Sequence, residues 1–468
     1  MKVRKVGRFT LGVLLVSYGL ILILSKILKF SAAAFIGKWW PLTFIIFGLE
    51  ILLSGNLKKN ETETSRTLFD GWSIFFIIVI LLVSFGIDCG QKISRSYPFS
   101  LKIDMPYFNT NYKNEDVYEK EFKIDSAGKQ KLLIINEFGN VRVNKGEGKE
   151  ISIKANIKIR NNDREFAKQV SDSVVKITDE STLKVESDIQ KYLEDRTKIS
   201  GINVNYTIYI PEGIEVEINN KYGNVSAADI TKNTTIGCTH GEISIDSVKG
   251  NLEARNSYGD IDVSNVSGDT KIYNRNGNID VKGVNSLKVE NEYADVTAKN
   301  VKSDAEITNK NGNIKLDNVG GNAVIDTKYS EVDAINVSGS LRLSDENGDI
   351  SIKDIGKGIN IENKYGNISI TNPKDSVTIS DKNGHITLES SKVLKGNIDI
   401  VNEYGNIDLS IPKSQEGNFS IYTKYGNINS SLNLNIKKDA NEESIEQRIG
   451  NVNTNINIKN RNGSISLK

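Results

Sequence analysis

The side chains that do most enzyme chemistry are scarce in this sequence. In 468 residues there are two histidines, His240 and His385, and two cysteines, Cys89 and Cys238. A nucleophile–histidine–acid triad needs a histidine held beside both partners, and a zinc site needs three or four nitrogen and sulfur ligands. The chain offers too few of either. The cysteines are far apart and no Cys-x-x-Cys pair occurs. No catalytic residue, metal or cofactor is therefore expected. Asp260, Asp262, Asp280, Glu331 and Asp349 could supply a carboxylate pair for glycoside cleavage, or hold a cation. They alternate with lysines, however, as an ordinary solvated face does. Calcium-binding nonapeptide repeats need doubled glycines at a nine-residue spacing, and the chain has neither. What remains is a periodic row of tyrosines: Tyr222, Tyr258, Tyr293, Tyr329 and Tyr365, alternating with His240, Asn276, Asn311, Asn347 and Asn383. Two readings stand for it. One is a carbohydrate- or surface-binding stripe; the other is ring packing between neighbouring turns.

The elements that carry this row repeat with it. The phrase Asn-Lys-Tyr-Gly-Asn-Val at 220–225 returns in variant form at 256, 274, 309, 363 and 402. Its glycines are Gly223, Gly241, Gly259, Gly277, Gly312, Gly348, Gly366 and Gly384, with Ala294 and Ser330 in the missing places. The step is 18 residues, once 17, then 21 to Gly405 and Gly426. A fixed period of this kind marks a repeat architecture. Within one period Ile279 and Val281 alternate with Asp280 and Lys282, Val284 follows near a Gly283 bend, and Leu287 and Val289 alternate with Lys288 and Glu290. That is the pattern of two short half-buried strands. Two strands cannot bury an apolar face alone, but stacked coils can. The expectation is all-β: a parallel β-solenoid of about 18 residues per coil. Eleven intervals from Gly223 to Gly426 then give a length on the order of 50 Å. A 36-residue coil is the alternative, and it would stack the tyrosines in one unbroken column. The first turn position holds Asn220, Asn256, Asn274, Asn291, Asn309, Asn363 and Asn402, with Thr327, Asp345, Asp381 and Thr423 as variants. Such side chains bond backbone groups, so an internal ladder supporting the bend's amides is expected, in preference to a ligand groove.

Charge is balanced, with 60 Lys and Arg against 59 Asp and Glu, which argues against nucleic acid as a partner. Three apolar runs open the chain: Phe9 to Leu28, Ala32 to Leu53 and Trp72 to Ile87, with Trp39, Trp40 and Trp72 suited to a membrane interface. They predict transmembrane helices, with Glu50 near the end of the second. Lys2, Arg4, Lys5 and Arg8 retain the N-terminus in the cytoplasm, although Lys26, Lys29 and Lys38 run against this. Three spans put residues 88–468 outside the cell, with Cys89 a free juxtamembrane thiol.

Between the spans and the repeats, Asn136-Glu-Phe-Gly-Asn140 is an early copy of the phrase. Residues 151–159 and 204–210 alternate as strands, and Asp163 caps a helix running to about Ile177. The expected division is 1–90 membrane region, 91–218 non-repetitive β-rich cap, 219–430 solenoid, and 431–468 terminal coils and cap.

Gly12-Val-Leu-Leu-Val-Ser-Tyr-Gly19 and Trp40-Pro-Leu-Thr-Phe-Ile-Ile-Phe-Gly48 resemble the membrane hairpin of Lia-type cell-envelope stress proteins of Gram-positive bacteria. Tyr206-Thr-Ile-Tyr-Ile-Pro-Glu-Gly, leading into the Asn-x-x-Gly-Asn/Asp-Ile repeats, resembles the bacterial "putative adhesin" β-strand-repeat family of unassigned function, over about 131–468. The resemblances imply a membrane-anchored extracellular solenoid. It would be a non-enzymatic, adhesin-like or envelope-stress-associated binding or scaffold protein. Its partners would be the lipid bilayer and a cell-wall polymer, matrix or membrane signalling protein. A polysaccharide-acting β-helix enzyme is the alternative.

Overall fold

A computed structural model describes residues 4–6, 10–13, 17, 20–21, 50, 67–69, 114–193 and 198–468. The chain divides into two units, 1–110 and 111–468. In the first, β1 (Arg4–Val6) pairs in parallel with β2 (Thr67–Phe69). The Thr10 backbone N and Oγ1 both donate to Glu50 Oε2, at 2.9 and 2.5 Å. No helix among the described residues is long and apolar enough to cross a membrane. Most of the three expected spans, their interface tryptophans and Cys89 lie outside the described residues.

The second unit is a parallel β-solenoid. Each rung has one strand on face A and one on face B, joined at a tight corner. Rung follows rung in register: Leu252 on Thr270, Ile261 on Ile279, Asn256 on Asn274. One coil takes one 18-residue period, so the 36-residue alternative is excluded. Tyrosine and asparagine alternate along a single edge because each successive period adds one rung. Inward positions hold apolar residues that stack in columns; Ile307, Ile325, Leu343, Ile361, Ile379 and Ile400 lie over one another, all fully buried. A second corner uses a device not read from the sequence. Asp229, Ser247, Asn265, Gly283, Asn300, Asn318, Asn336, Asp354 and Asn372 all sit at φ between +52° and +69°. At each, this single left-handed residue turns the next one, from Ile230 and Val248 through Ile355 to Pro373, inward.

Eleven rungs run in sequence order, with corners at Gly223, Gly241, Gly259, Gly277, Ala294, Gly312, Ser330, Gly348, Gly366, Gly384 and Gly405. Both ends depart from that order. The block 91–218 contributes rungs of its own. In it, β3 (Asn114–Asp125), β4 (Lys131–Phe138), β5 (Val141–Lys145) and β6 (Glu150–Asn161) are followed by α1 (Arg164–Ser173). Then come β7 (Val175–Asp179), β8 (Thr182–Ser187) and β9 (Ile199–Ile210). The next rung is β10 (Glu215–Tyr222) and β11 (Val225–Ile230). The β4/β5 rung lies between the β8/β9 rung and the β10/β11 rung. Antiparallel β7 covers β8, while β6 and then β3 cover β9.

At the other end, the final rung, Asn455–Asn462 with Ile465–Leu467, inserts between the Ile398–Ser410 rung and the Gly417–Ser430 rung. Glu442–Ile449 then closes face A in antiparallel fashion. Gly426 therefore does not stack on Gly405; Gly463 stands between them. Helix α1 is capped by Asp163, whose Oδ1 accepts from Phe166 N at 3.0 Å, but it stops at Ser173 rather than near Ile177. The β-branched run Val174-Val-Lys-Ile-Thr instead supplies β7, where Ile177 pairs with Val185.

Candidate functional site

The A–B corner brings together the residues singled out by their spacing. Its innermost column is the asparagine ladder. Asn309 Nδ2 donates to Ala294 O at 3.1 Å and to Gly312 O at 3.0 Å, one rung back and its own rung. Asn256 and Asn274 do the same with Gly241 and Gly259, and with Gly259 and Gly277. These bonds satisfy turn carbonyls. The expected service to backbone amides is the lesser part, seen where Ser257 N and Arg275 N donate to Asn256 and Asn274 Oδ1. The ladder is structural, and its rungs are closed to ligand by their close approach. A Cβ on Gly312 would lie 2.2 Å from Ala294 O, and one on Gly366 2.0 Å from Gly348 O.

An outer column just beyond the glycines makes a second ladder. Asp295 Oδ1 accepts from Asn313 N, Asp349 Oδ1 from Asn367 N, and Asp260 Oδ1 from Asn278 N, each at 2.7 Å. Asp260 and Asp349 are thus committed to backbone support, and Glu331 lies in the same column. Asp262 and Asp280 are register neighbours on face B. Partial burial, and then the like charges of Asp280 and Asp260, hold the Asp262 carboxyl above its usual range. The two histidines are not brought together. His385 Nε2 lies 3.1 Å from Asp408 Oδ2 on the outer ladder. His240 stacks between Tyr222 and Tyr258 at 4.9 and 4.8 Å, and burial followed by Lys221 lowers its pKa. Cys238 replaces an asparagine in the inner ladder, where burial pushes its thiol up to about 11. Among the described residues no group of three or more His, Cys, Asp or Glu is placed to hold a metal ion.

The tyrosine row splits in two. Tyr222 packs in a stack of four rings running Phe138, Tyr222, His240, Tyr258. Tyr258 ends that stack yet is 45% exposed; Tyr293, Tyr329 and Tyr365 turn outward, 47 to 54% exposed, and Tyr404 extends the series at 45%. An asparagine rung separates each from the next, so the exposed rings recur at about 10 Å, two strand spacings. Beside the row's N-terminal half runs a groove of about 970 Å³ that sequence reasoning missed. Its floor opens at Gly237, where neighbouring rungs carry Asn219, Arg255 and Tyr273. The Arg255 guanidinium lies over the Tyr273 ring, 4.0 Å from its centre. The signal was a lone mid-strand glycine out of phase with the turn glycines.

Residues 321–468 match the model of the Toastrack DUF4097 family. Three solved structures share likeness with the chain. A "putative cell adhesion protein" from Clostridium sporogenes is 11% identical, over 75% of this chain and 99% of that one, with a TM-score of 0.16. A "putative adhesin" from Bacteroides fragilis is 12% identical, over 63% and 97%, with a TM-score of 0.17. A "putative lipid binding protein" from Parabacteroides distasonis is 11% identical, over 75% and 97%, with a TM-score of 0.16. No curated protein matches the chain.

Proposed function

We propose that this chain is a non-enzymatic binding protein of the cell envelope. Apolar spans in residues 1–90 anchor it, the solenoid stands outside the membrane, and the exposed tyrosine edge meets a cell-wall or matrix polymer. The observation that carries the reading is the outward row Tyr258, Tyr293, Tyr329, Tyr365 and Tyr404. Large rings left in solvent at a fixed interval on a stiff backbone form a repeated contact surface, and each has a polar tip and an apolar face. The acidic residues support the same reading. Asp260 and Asp349 are tied into the turn ladder, which leaves them poorly placed as a catalytic pair.

The test uses cells that carry the full chain. Protease added to intact cells is expected to remove residues 88–468, and full protection until lysis would reverse the topology. Full-length protein in liposomes is expected to sediment with purified cell-wall sacculi. A variant with Tyr293, Tyr329, Tyr365 and Tyr404 all changed to serine is expected to lose that binding while its melting is unchanged. Equal binding by the variant would overturn the tyrosine surface. Release of reducing sugar from the sacculi would favour the polysaccharide-acting enzyme.

A further inference from the structure

Two members of the inner ladder cannot do what the others do. Where the ladder residue is asparagine, its amide nitrogen faces turn carbonyls, as Asn402 Nδ2 faces Gly384 O at 3.0 Å and Asn460 Nδ2 faces Gly405 O at 2.8 Å. Asp345 and Asp381 stand in the same column, 3 and 4% exposed. From the place a Cβ would take on the turn glycine, Asp345 Oδ2 is 3.0 Å away at Gly348 and Asp381 Oδ2 is 2.9 Å away at Gly384. Asn460 Nδ2 is 3.0 Å from the same place at Gly463, and Asn256 Nδ2 3.2 Å at Gly259. A carboxyl oxygen therefore occupies the position of an N–H donor, with carbonyl oxygens before it. An ionised carboxylate only accepts, while a protonated one donates.

No cation among the described residues is a leading influence on either acid. The groups acting on Asp345 are the backbone amides of Asn347 and Glu346 and the like charge of Glu346. The Glu346 carboxylate is itself paired with Lys364 at 3.3 Å on the outer surface. Those acting on Asp381 are the backbone amides of Lys382 and Asn383 and the Asn363 amide. In the ladder column itself Thr327 precedes Asp345, Asn363 lies between the two acids, and Asn402 follows Asp381. The backbone registers the difference. At the asparagine corners the third residue on has φ between +112° and +146°, from Ala294 and Gly312 up to Gly463, whereas Gly348 and Gly384, like Gly426 on the Thr423 rung, lie outside the left-handed range. Face A also thins here. The strands shorten to Leu341–Ser344 and Ile359–Glu362, leaving single bridges at Asn347–Tyr365 and Tyr365–Asn383.

We propose that Asp345 and Asp381 are proton-operated catches: protonated, each carboxyl donates its O–H to a turn carbonyl as an asparagine amide does, and ionised, it sets acceptor against acceptor and loosens the three rungs between Gly348 and Gly384. Burial, the first cause at both sites, pushes both carboxyls up from 3.8 to about 6. Because the folded value lies above the unfolded one, the stabilisation is complete below 3.8 and is lost as pH rises through about 6. The solenoid thus carries a pH-sensitive joint beside Tyr365, tight in mildly acidic surroundings and looser in neutral ones. This rests on the corner geometry and not on any binding role for the tyrosines.

The test is amide hydrogen exchange on the full chain, corrected for the intrinsic pH dependence of exchange. Protection of residues 341–389 is expected to fall as pH rises from about 5 to about 8, while residues 296–325 hold constant. The double variant Asp345→Asn, Asp381→Asn is expected to keep the segment protected across that range. A flat wild-type profile would overturn the proposal, and so would a double variant that keeps the wild-type fall. If the double variant fails to fold, the wild-type comparison of the two segments still decides. Recovery of protection at the higher pH on adding calcium chloride would overturn it in favour of a metal ion at the acids.

Discussion

Ala294 stands where other rungs carry glycine, and it is held at φ +112°. A side chain there is strained, whereas glycine is not. Ala294→Gly should therefore raise stability by roughly 1 kcal/mol, with the relief of strain outweighing the added freedom of the unfolded chain. Chemical denaturation of the two proteins checks this, and a less stable variant would contradict it. Asn309 is the donor for the same turn, through Ala294 O and Gly312 O. Asn309→Ala removes the side-chain donor to Gly312 O inside the corner, while Ala294 O keeps Asn291 Nδ2 at 3.0 Å. It should cost about 1–3 kcal/mol, read from the shift in denaturation midpoint. A cost within error of zero would mean that water takes over the ladder's role.

At the scale of the strand, the two-residue alternation did most of the folding work. Ile314 and Leu316 point inward, at 1 and 0% exposure, while Lys315 and Asp317 point out. Ile314→Asp should abolish cooperative melting of the rungs around it, since a buried unpaired carboxylate costs several kcal/mol. Unchanged melting would reverse the inward assignment. The strand Glu442–Ile449 belongs to the same scale. It pairs antiparallel with Gly417–Thr423 and closes an edge that would otherwise template another chain. Its Glu443 carboxylate also accepts from Ile428 N at 2.7 Å, so the cap is fastened to the rung beneath it.

For the solenoid as a whole, the last rung does not come last in space. Residues 455–467 fill the gap between the Ile398–Ser410 rung and the Gly417–Ser430 rung. Removing residues 451–468 should therefore do more than shorten the coil. It should open an interior gap, leave four exposed strand edges and promote self-association, visible as a rise in apparent mass by light scattering. A monomeric, fully folded truncation would show that the neighbouring rungs can close on each other.

The strand pattern, the 18-residue period and the asparagine turn row were legible in the sequence because each is local: alternation reports burial, and a fixed step reports stacking. Even the variants Thr327, Asp345, Asp381 and Thr423 stood out as breaks in that row. Other features needed the tertiary structure. A period is blind to spatial order, so nothing in Asn136–Asn140 or Asn460–Ser464 tells that each is threaded between rungs distant in sequence. The left-handed column from Asp229 to Asn372 was hidden because aspartate, serine, glycine and asparagine all serve there. Which tyrosines face solvent, and which carboxyls stand in a donor's place, depends on neighbours one rung away. Rungs meet through registration in space, and that is the physical reason the chain alone was silent on them.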